Sequence, residues 1–468
     1  MPATWLSLFE AVFPWSGALS DSMASLNALD RGVGVRAVVD GAQCVLDIAS
    51  PALSSVGSVS LDFSGVGVDH LDAEEVDLLV TMAGITVGQA CMAEELRLGA
   101  QLHPKSRPVI DRLARLHYDA HAYAQRLPAW AHPKIVADTC SSRTPQSRPR
   151  SDEPGEQRVV LLWSGGKDAL ASLRVLRANG YDIIGLHATV NDAVRDLEAK
   201  AARDLASQER LPLLELSMNW PVLTEVLDRW SSSTGVFPLK NPVAHGRDLL
   251  LHVSAAIAAR RHGAGLVAAG YEYDLWAKCI PYRRRVVYKH DTQSRHAGQL
   301  IDELLSSRLG VGFFSPISSI TESVILAWLL AEEADAWPFI VSCFWGDWCG
   351  ECRKCLRYAL RQQALDLPRI DFRVDPLGPS NAALDALVDS ILDSATPYWE
   401  QQLSDLFTVY SKGLLLNEDA CVVLSEFESW YSSVSLGLSN HLRKIRKADL
   451  APPGFEPQRE GRMMRYAV

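Results

Sequence analysis

The sequence predicts an α/β fold in which helices cover both faces of a parallel β-sheet, joined to an N-terminal α+β domain and a helical C-terminal region. Strand-like and helix-like segments alternate from Arg158 onward, which is typical of a parallel sheet with helical crossovers. Short β-rich runs and helical patterns precede this stretch, and apolar residues at helical spacing follow it from residue 376. A chain of 468 residues is also long enough for two or three domains.

The N-terminal segment, residues 1–138, is predicted to be an α+β domain that recognises a partner or acceptor. Its predicted strands are Val33–Val39, Gln43–Ile48 and Ser58–Phe63, and its predicted helices are Ala73–Leu96 and Pro108–Arg126. The segment holds no catalytic constellation, so a purely structural role is the alternative. Residues 139–157 are rich in serine, proline and charge, which is typical of a linker.

The central segment, residues 158–372, carries the alternating pattern, and ligands of such sheets bind outside the carboxyl ends of the strands. Its predicted strands are Val159–Trp163, Asp182–Ala188, Leu211–Leu216 and Gly265–Gly270, and its predicted helices are Ala169–Ala178, Ala193–Gln208, Val222–Trp230 and Asp248–Arg261. Residues 373–468 form a predicted helical extension, with helices Leu384–Leu392 and Gln402–Tyr410 and a mobile tail from Ala451.

Charge and hydropathy narrow the function classes. The net charge of −10 argues against non-specific DNA binding, and neither DNA nor tRNA binding is indicated. No window is apolar for long enough to span a membrane, and the N-terminus lacks the basic start of a signal peptide. The sequence therefore predicts a cytoplasmic protein without a membrane partner, and it leaves a homodimer open.

A glycine turn stands between the first strand and the first helix of the central segment. The turn reads Ser164-Gly165-Gly166-Lys167-Asp168. Two glycines allow a tight turn and a close ligand, and the N–H groups of the following helix favour an anion. The turn thus predicts a phosphate or pyrophosphate site, although it matches neither the Walker nor the dinucleotide-binding motif. An ordinary strand-to-helix turn is the alternative.

Two further segments are candidates for the same crevice. Gly246 and Arg247 precede a strongly apolar helix, where a guanidinium suits phosphate; a capping Asp248 beside a surface arginine is the alternative. Gly270-Tyr271-Glu272 ends a predicted strand. Residues 282–290 include four basic side chains that suit an anionic substrate or tRNA, although a solvated strand edge is the favoured interpretation.

Four of the nine cysteines lie close together, at Cys343, Cys349, Cys352 and Cys355. Four thiolates suit tetrahedral zinc, and a closed site of this kind is structural, not catalytic. Disulfides or a redox pair are the alternatives, and the absence of a secretory signal disfavours disulfides. The spacing therefore predicts a zinc knuckle followed by a helix.

Together these features resemble the 7-cyano-7-deazaguanine synthases, the QueC family of PP-loop ATP pyrophosphatases. The resemblance covers about residues 158–367. It rests on the Ser164–Asp168 turn, His245-Gly246-Arg247-Asp248, the strand ending at Gly270 with Glu272 and Asp274 beyond it, Pro316–Glu322, and the four cysteines followed by Arg357. The expected fold is accordingly of the PP-loop (HUP-like) type.

The resemblance implies an ATP-dependent ligase that releases AMP and pyrophosphate. ATP would adenylate a 7-carboxy-7-deazaguanine carboxylate, and an amine would then form the amide. Ser164, Gly165, Gly166, Lys167, Asp168, Gly246, Arg247 and Gly270 would bind ATP and Mg²⁺, with Lys167, Asp168 and Arg247 catalytic. Tyr271, Glu272 and Asp274 would bind the deazapurine, and Cys343, Cys349, Cys352 and Cys355 would bind zinc.

Several positions depart from the family. Ala169 replaces the usual serine, Glu322 stands where a lysine is typical, and Asp248 replaces an asparagine. Together with the extra N-terminal segment, they resemble the long QueC-like components of bacterial anti-phage operons (Qat and type IV CBASS). That resemblance implies transfer to a protein amine encoded nearby. The alternatives are ammonia-dependent nitrile synthesis for queuosine, another PP-loop enzyme such as a tRNA thiolase using Cys279 or a diphthamide-type ligase, and a nucleotide-binding scaffold without catalysis.

Overall fold

The computed structural model describes two compact units of the chain. The larger comprises described residues between 32 and 340, and the smaller comprises described residues between 348 and 425. The described residues are 32–50, 57–124, 130–139, 158–190, 193–220, 242–277, 279–282, 285–288, 290–333, 335–336, 339–340, 348–367, 370–379, 381–392, 400–415, 420–422 and 424–425.

The larger unit opens with a β-rich stretch and two helices. Its elements are β1 (Gly32–Asp40), β2 (Gln43–Ala49), β3 (Gly57–Asp62), α1 (Ala73–Cys91), β4 (Glu95–Leu102), α2 (Arg107–Ala124) and β5 (Lys134–Thr139). The sequence predicts the first three strands and both helices but neither β4 nor β5. The predicted helix Ala73–Leu96 ends instead at Cys91, because Met92 takes a left-handed conformation and alternating burial then defines β4.

Strands and helices alternate through the rest of the larger unit. They are β6 (Arg158–Leu162), α3 (Lys167–Ala178), β7 (Asp182–Val190), α4 (Ala193–Gln208), β8 (Leu213–Asn219), α5 (Pro242–Arg261), β9 (Leu266–Ala268), α6 (Tyr273–Ala277), β10 (Cys279–Tyr282), β11 (Arg285–Tyr288), α7 (Arg295–Leu309), β12 (Gly312–Phe314) and α8 (Glu322–Glu332). The predicted helix Val222–Trp230 lies outside the described residues.

Ten strands form one mostly parallel sheet, which confirms the predicted α/β class. Their order is β12-β9-β6-β7-β8-β3-β2-β1-β4-β5. Strands β12, β9, β6, β7 and β8 are mutually parallel along this row. The carboxyl ends of β12, β9 and β6 therefore share one sheet edge, where a ligand crevice is expected.

The sheet continues from the central strands into the N-terminal strands. Strand β3 pairs antiparallel with β8, with Leu61 opposite Met218. This pairing joins strands that the sequence assigns to separate segments on either side of residues 139–157. Both residues are buried in one core, so the two sets of strands are stabilised by the same apolar contacts.

Helix α1 packs against α5 through apolar faces and a charged cluster. Asp72 and Glu75 form a capping box, in which each side chain accepts a hydrogen bond from the other's backbone N–H. Arg260 donates to both carboxylates at 2.8–2.9 Å, and Arg261 donates to Glu75 at 2.8 Å. The fully buried Glu75 carboxylate is thus paired, which offsets its desolvation.

The smaller unit is helical and carries the cysteine cluster. Its helices are α9 (Arg353–Ala364), α10 (Ala382–Leu392) and α11 (Glu400–Ser411). Leu360, Leu384 and Leu406 are fully buried in its core, and Arg361 pairs with Asp405 at 3.1 Å. Across both units, none of the described helices is long and apolar enough to cross a membrane.

Candidate functional site

The glycine turn follows β6 and has a backbone that only glycine accepts easily. Gly165 has a φ of +70°, and a Cβ there would lie 2.7 Å from Cα of Ala202 in α4. Trp163 fixes the approach to the turn, since its indole N–H donates to the carbonyl of Ala202 at 2.8 Å. The turn is therefore clamped between β6 and α4.

Helix α3 begins directly after this turn. Its N-cap is Gly166, which has extended backbone geometry and no side chain to cap the first turn. The Gly166 N–H donates to Oγ of Ser164 at 3.3 Å. The first-turn N–H groups and the helix dipole therefore favour an anion at this point, and the residues fit a phosphate group.

The Lys167 ammonium lies between two carboxylates. Its Nζ is 2.5 Å from Oδ1 of Asp168 and 3.2 Å from Oε1 of Glu322. The Lys167 side chain is 6% exposed, and those of Asp168 and Glu322 are 31% and 13% exposed. The sequence identified Glu322 only as a departure from the family, and its pairing with Lys167 was not predicted.

Two loops at the ends of β9 and β12 are held together by hydrogen bonds. The backbone N–H of Tyr271 donates to Oγ of Ser315, whose hydroxyl donates to the Tyr271 carbonyl. Further along, the Tyr273 N–H donates to the carbonyl of Ile320 at 2.8 Å. The Glu322 N–H, at the start of α8, donates to Oδ2 of Asp274 at 3.1 Å. These bonds position Glu322 beside Lys167.

Gly270 brings the β9 loop against the start of α3. A Cβ at Gly270 would lie 2.9 Å from the Asp168 carbonyl oxygen and 3.1 Å from Oγ of Ser172. The two segments that the sequence predicts at the sheet edge, the glycine turn and the Gly270 loop, are therefore in direct contact. The structure places Lys167, Asp168, Glu272 and Asp274 together in this region.

Glu272 is a buried acid next to this pair of loops. The residue is 3% exposed, and its Oε2 has no hydrogen-bond partner among the described residues. Burial raises the pKa of Glu272 well above its ordinary value, and the charges of Asp168, Glu322 and Asp274 add to the rise while Lys167 opposes it. The neutral carboxyl is thereby favoured more than at an exposed glutamate.

Tyr271 faces the protein core with its side chain. Its hydroxyl lies 2.6 Å from Nε2 of His252, and its ring packs near Phe313. Burial raises the pKa of Tyr271 well above its ordinary value, and burial lowers the pKa of His252 to about 3. The Tyr271 hydroxyl is therefore hydrogen-bonded to the neutral imidazole of His252.

The predicted nucleotide residues Gly246 and Arg247 lie within α5, which begins at Pro242 and not at Asp248. Arg247 is thus in the second turn of the helix, and the direction of its side chain lies outside the described part of the chain. Asp248 does not cap the helix; its Oδ2 accepts hydrogen bonds from Thr292 and Gln293 at 3.1 and 2.9 Å.

The basic segment at residues 282–290 forms part of the β10–β11 hairpin. Arg285 donates to Asp119 at 2.6 Å, and its guanidinium lies 4.6 Å from the ring centre of Trp130. This arginine is therefore held by an ion pair and a cation–π contact. Arg283, Arg284 and Lys289 lie outside the described residues.

Three cysteines of the smaller unit form a buried group that could hold a metal ion such as zinc. The Sγ atoms of Cys352 and Cys355 are 3.6 Å apart, and those of Cys349 and Cys355 are 3.9 Å apart. Zinc with Zn–S bonds of ~2.3 Å in a tetrahedron places its sulfurs about 3.8 Å apart. The separations therefore fit a metal site. Cys343 lies outside the described residues.

The backbone around this cluster is closely constrained. Gly350 has a φ of +81°, and a Cβ there would clash with the Val374 carbonyl oxygen. Asn381 donates from Nδ2 to the Gly350 carbonyl at 2.8 Å. The predicted helix after the last cysteine is α9, which begins at Arg353, with Cys352 as its N-cap.

A buried polar pair that the sequence did not suggest lies elsewhere in the larger unit. Nδ1 of His117 in α2 is 2.7 Å from Oδ2 of Asp291, and both side chains are fully buried. Gln89 of α1 donates to the same carboxylate at 3.1 Å. Single histidines and aspartates far apart in the chain carry no local signal for such a pair.

No protein-family model matches the chain, and no curated protein sequence matches it significantly.

Proposed function

We propose that this protein is a PP-loop ATP pyrophosphatase that adenylates a 7-carboxy-7-deazaguanine-type carboxylate and passes the acyl group to an amine. The observation that carries the proposal is the uncapped N-terminus of α3 behind a glycine turn, with Lys167 and Asp168 in its first turn. That N-terminus lies at the carboxyl edge of parallel strands. The resemblance to the QueC family supplies the substrate class.

The arrangement suits pyrophosphate release in electrostatic terms. A carboxylate is a poor acyl electrophile, and joining it to AMP gives it a good leaving group. The charge that develops on pyrophosphate would be stabilised by the first-turn N–H groups of α3 and by Ser164. Asp168 is the residue at the turn that would hold Mg²⁺, which supplies further neutralisation of phosphate charge.

The charge around Lys167 favours a metal-bound nucleotide. Two carboxylates within 3.2 Å more than offset the single positive charge of the ammonium. Free ATP would be repelled by this arrangement, whereas its Mg²⁺ complex brings the missing positive charge. Arg247 is the further cation that the resemblance assigns to ATP.

The cysteine group would serve as a structural zinc site, with Cys343 as fourth ligand. The buried sulfurs of Cys349, Cys352 and Cys355 supply three thiolates at suitable separations. A closed four-sulfur site leaves no position for substrate, so its role would be to stabilise the smaller unit. We place the activity in the cytoplasm, where thiolates stay reduced.

A protein amine is the proposed acceptor, recognised by the N-terminal strands and helices. The alternative acceptor is ammonia, as in the housekeeping enzymes of queuosine synthesis. One observation favours a different function class: Lys167 is engaged by Glu322, which would suit a scaffold that binds nucleotide without catalysis. The two ligase functions predict different products, and a scaffold predicts no product.

Mass spectrometry separates these possibilities. Purified protein would be incubated with Mg-ATP and 7-carboxy-7-deazaguanine, with ammonia or with proteins encoded beside its gene. A mass increment on a neighbouring protein supports the protein ligase, and a free amide or nitrile supports the small-molecule enzyme. Asp168→Asn should abolish either product, whereas Asp182→Asn, which changes an exposed acid paired with Arg158, should not. Absence of AMP in every reaction would contradict the proposed function.

A further inference from the structure

We propose that Glu272 is the base that takes the proton from the amine as it attacks the acyl-adenylate. This inference rests on the proposed function and assigns a second half-reaction to the same site. Glu272 follows β9 by four residues, at the sheet edge where the glycine turn also lies. Its carboxylate is buried, and its Oε2 has no hydrogen-bond partner among the described residues.

A buried carboxylate oxygen without a hydrogen bond destabilises the fold, because no protein group replaces the hydrogen bonds that the oxygen made to water. Such a group calls for an explanation, and a catalytic role or a bound ligand is one that native structures provide. The charged side chains that act electrostatically on Glu272 include Asp168 and Lys167 of α3, Asp274 of α6 and Glu322 of α8. Glu272 therefore belongs to the proposed reaction site and not to a separate core network.

The neighbouring carboxylates are already engaged in the structure. Asp168 and Glu322 contact the Lys167 ammonium, and Asp274 accepts the N–H at the start of α8. Glu272 has one oxygen, Oε2, without a hydrogen-bond partner among the described residues, and that oxygen can accept an incoming N–H. Burial raises the pKa of Glu272, so its carboxylate is a stronger base than that of an ordinary glutamate.

The step balances with the groups named. The lone pair of the neutral amine forms the C–N bond to the acyl carbon, and the C–O bond to the AMP phosphate breaks. AMP leaves with the electron pair of that bond. One amine proton passes to the Glu272 carboxylate, which becomes a neutral acid and later returns the proton to solvent.

The acidic surroundings also suit the approach of an amine. Amines arrive largely as ammonium ions at neutral pH, and a site with net negative charge attracts them. The ammonium loses its first proton to solvent, and Glu272 takes the second proton as the neutral amine forms the C–N bond. Replacement of a glutamate that is only structural, or that only contacts the heterocycle, would not selectively slow the second half-reaction.

Glu272→Gln tests this assignment because it keeps the shape of the side chain and removes the base. Two reactions are measured: ATP–pyrophosphate exchange with 7-carboxy-7-deazaguanine, and amide formation with ammonium chloride. We expect amide formation to fall by about 10²–10⁴-fold, and to fall at least tenfold more than exchange, which would lose only the contact of Glu272 with the deazapurine. Glu303→Gln, in an exposed pair with Arg112, is the matched control and should change neither.

Hydroxylamine provides a second readout, because its nitrogen, once added to the acyl carbon, is more acidic than that of ammonia and needs less help from a base to lose its proton. Glu272→Gln should therefore lose much less activity with hydroxylamine than with ammonia. Equal losses with both nucleophiles, equal losses in exchange and amide formation, or unchanged amide formation would each overturn the assignment. If the unmodified protein shows no exchange, the proposed function fails, and the assignment of Glu272 fails with it. If only the assignment of Glu272 is wrong, the unmodified protein still shows exchange.

Discussion

The Lys167 ammonium lies 3.2 Å from Oε1 of Glu322, although the two residues belong to different helices. The contact depends on the bonded loops after β9 and β12, which hold the first turn of α8 beside the first turn of α3. Glu322 is a negative charge at a position where the QueC family, which the sequence resembles, typically has a lysine. This relationship sets the electrostatics of the candidate nucleotide site.

Replacing Glu322 with glutamine should strengthen nucleotide binding. Loss of one carboxylate beside Lys167 reduces repulsion of the ATP phosphates, and we expect the apparent KM for Mg-ATP to fall by about three- to tenfold. The measurement is ATP–pyrophosphate exchange at varied Mg-ATP, with Glu303→Gln as the control. A higher KM would instead mean that Glu322 orients Lys167 for binding.

The glycine turn should be sensitive to a single methyl group. Gly165→Ala combines a positive φ with a Cβ that would lie 2.7 Å from Cα of Ala202, so we expect a loss of about 2–4 kcal/mol in the free energy of unfolding. Gly180→Ala is the control, since its φ is +81° and its Cβ would meet nothing within 4 Å. Chemical denaturation measures the free energy of unfolding of both variants. Equal losses in the two variants would show that the close approach of residue 165 to α4 does not add to the destabilisation.

The cysteine group should bind one zinc ion per chain. Metal analysis of Cys352→Ser should show loss of this zinc, and thermal unfolding of the variant should shift to lower temperature because metal binding contributes to folding. Cys421→Ser changes a half-buried cysteine outside the group and should keep the metal. Cys343→Ser tests the fourth ligand: retention of full zinc affinity would exclude it.

The buried His252 should make stability depend on pH. Its pKa is lowered to about 3 in the folded protein, below the ordinary value of 6.5, so the unfolded chain binds the proton more readily. The stabilising contribution is present above pH 6.5 and is lost as pH falls from there toward 3, by up to ~1.4 kcal/mol per pH unit.

Urea unfolding between pH 4.5 and 7.5 measures this dependence. His252→Gln should give a shallower decline of the unfolding free energy with falling pH than the unmodified protein. His70→Gln, at an exposed position, should leave the slope unchanged. Identical slopes for His252→Gln and the unmodified protein would contradict a buried neutral imidazole.

Local patterns in the sequence predict the parts of the site that are contiguous in the chain. Apolar runs followed by Ser164-Gly165-Gly166 identify β6, the turn and α3, and the cysteine spacing identifies the group at residues 349–355. Each of these features is encoded by residues that lie close together in the sequence. The short strands β9 and β12 and helix α8 bring in the remaining residues through contacts between distant segments.

Those distant contacts have no local signature. Strand β3 pairs with β8 although the two strands are far apart in the chain, and the alternation of residues within a strand does not specify its partner. The Lys167–Glu322 contact likewise depends on the hydrogen bond between Asp274 and the start of α8. The prediction omits strand β4 because it extends the preceding helix to Leu96, although Leu96, Leu98, Ala100 and Leu102 alternate with less buried residues as in a strand.

ATP–pyrophosphate exchange dependent on 7-carboxy-7-deazaguanine tests the central claim most directly, because it detects adenylation without knowledge of the acceptor. We predict exchange that requires Mg²⁺ and the carboxylate, persists in Asp182→Asn and is lost in Asp168→Asn. Exchange that survives in Asp168→Asn, or no exchange with a folded, zinc-loaded protein, would contradict an adenylating site at the α3 N-terminus.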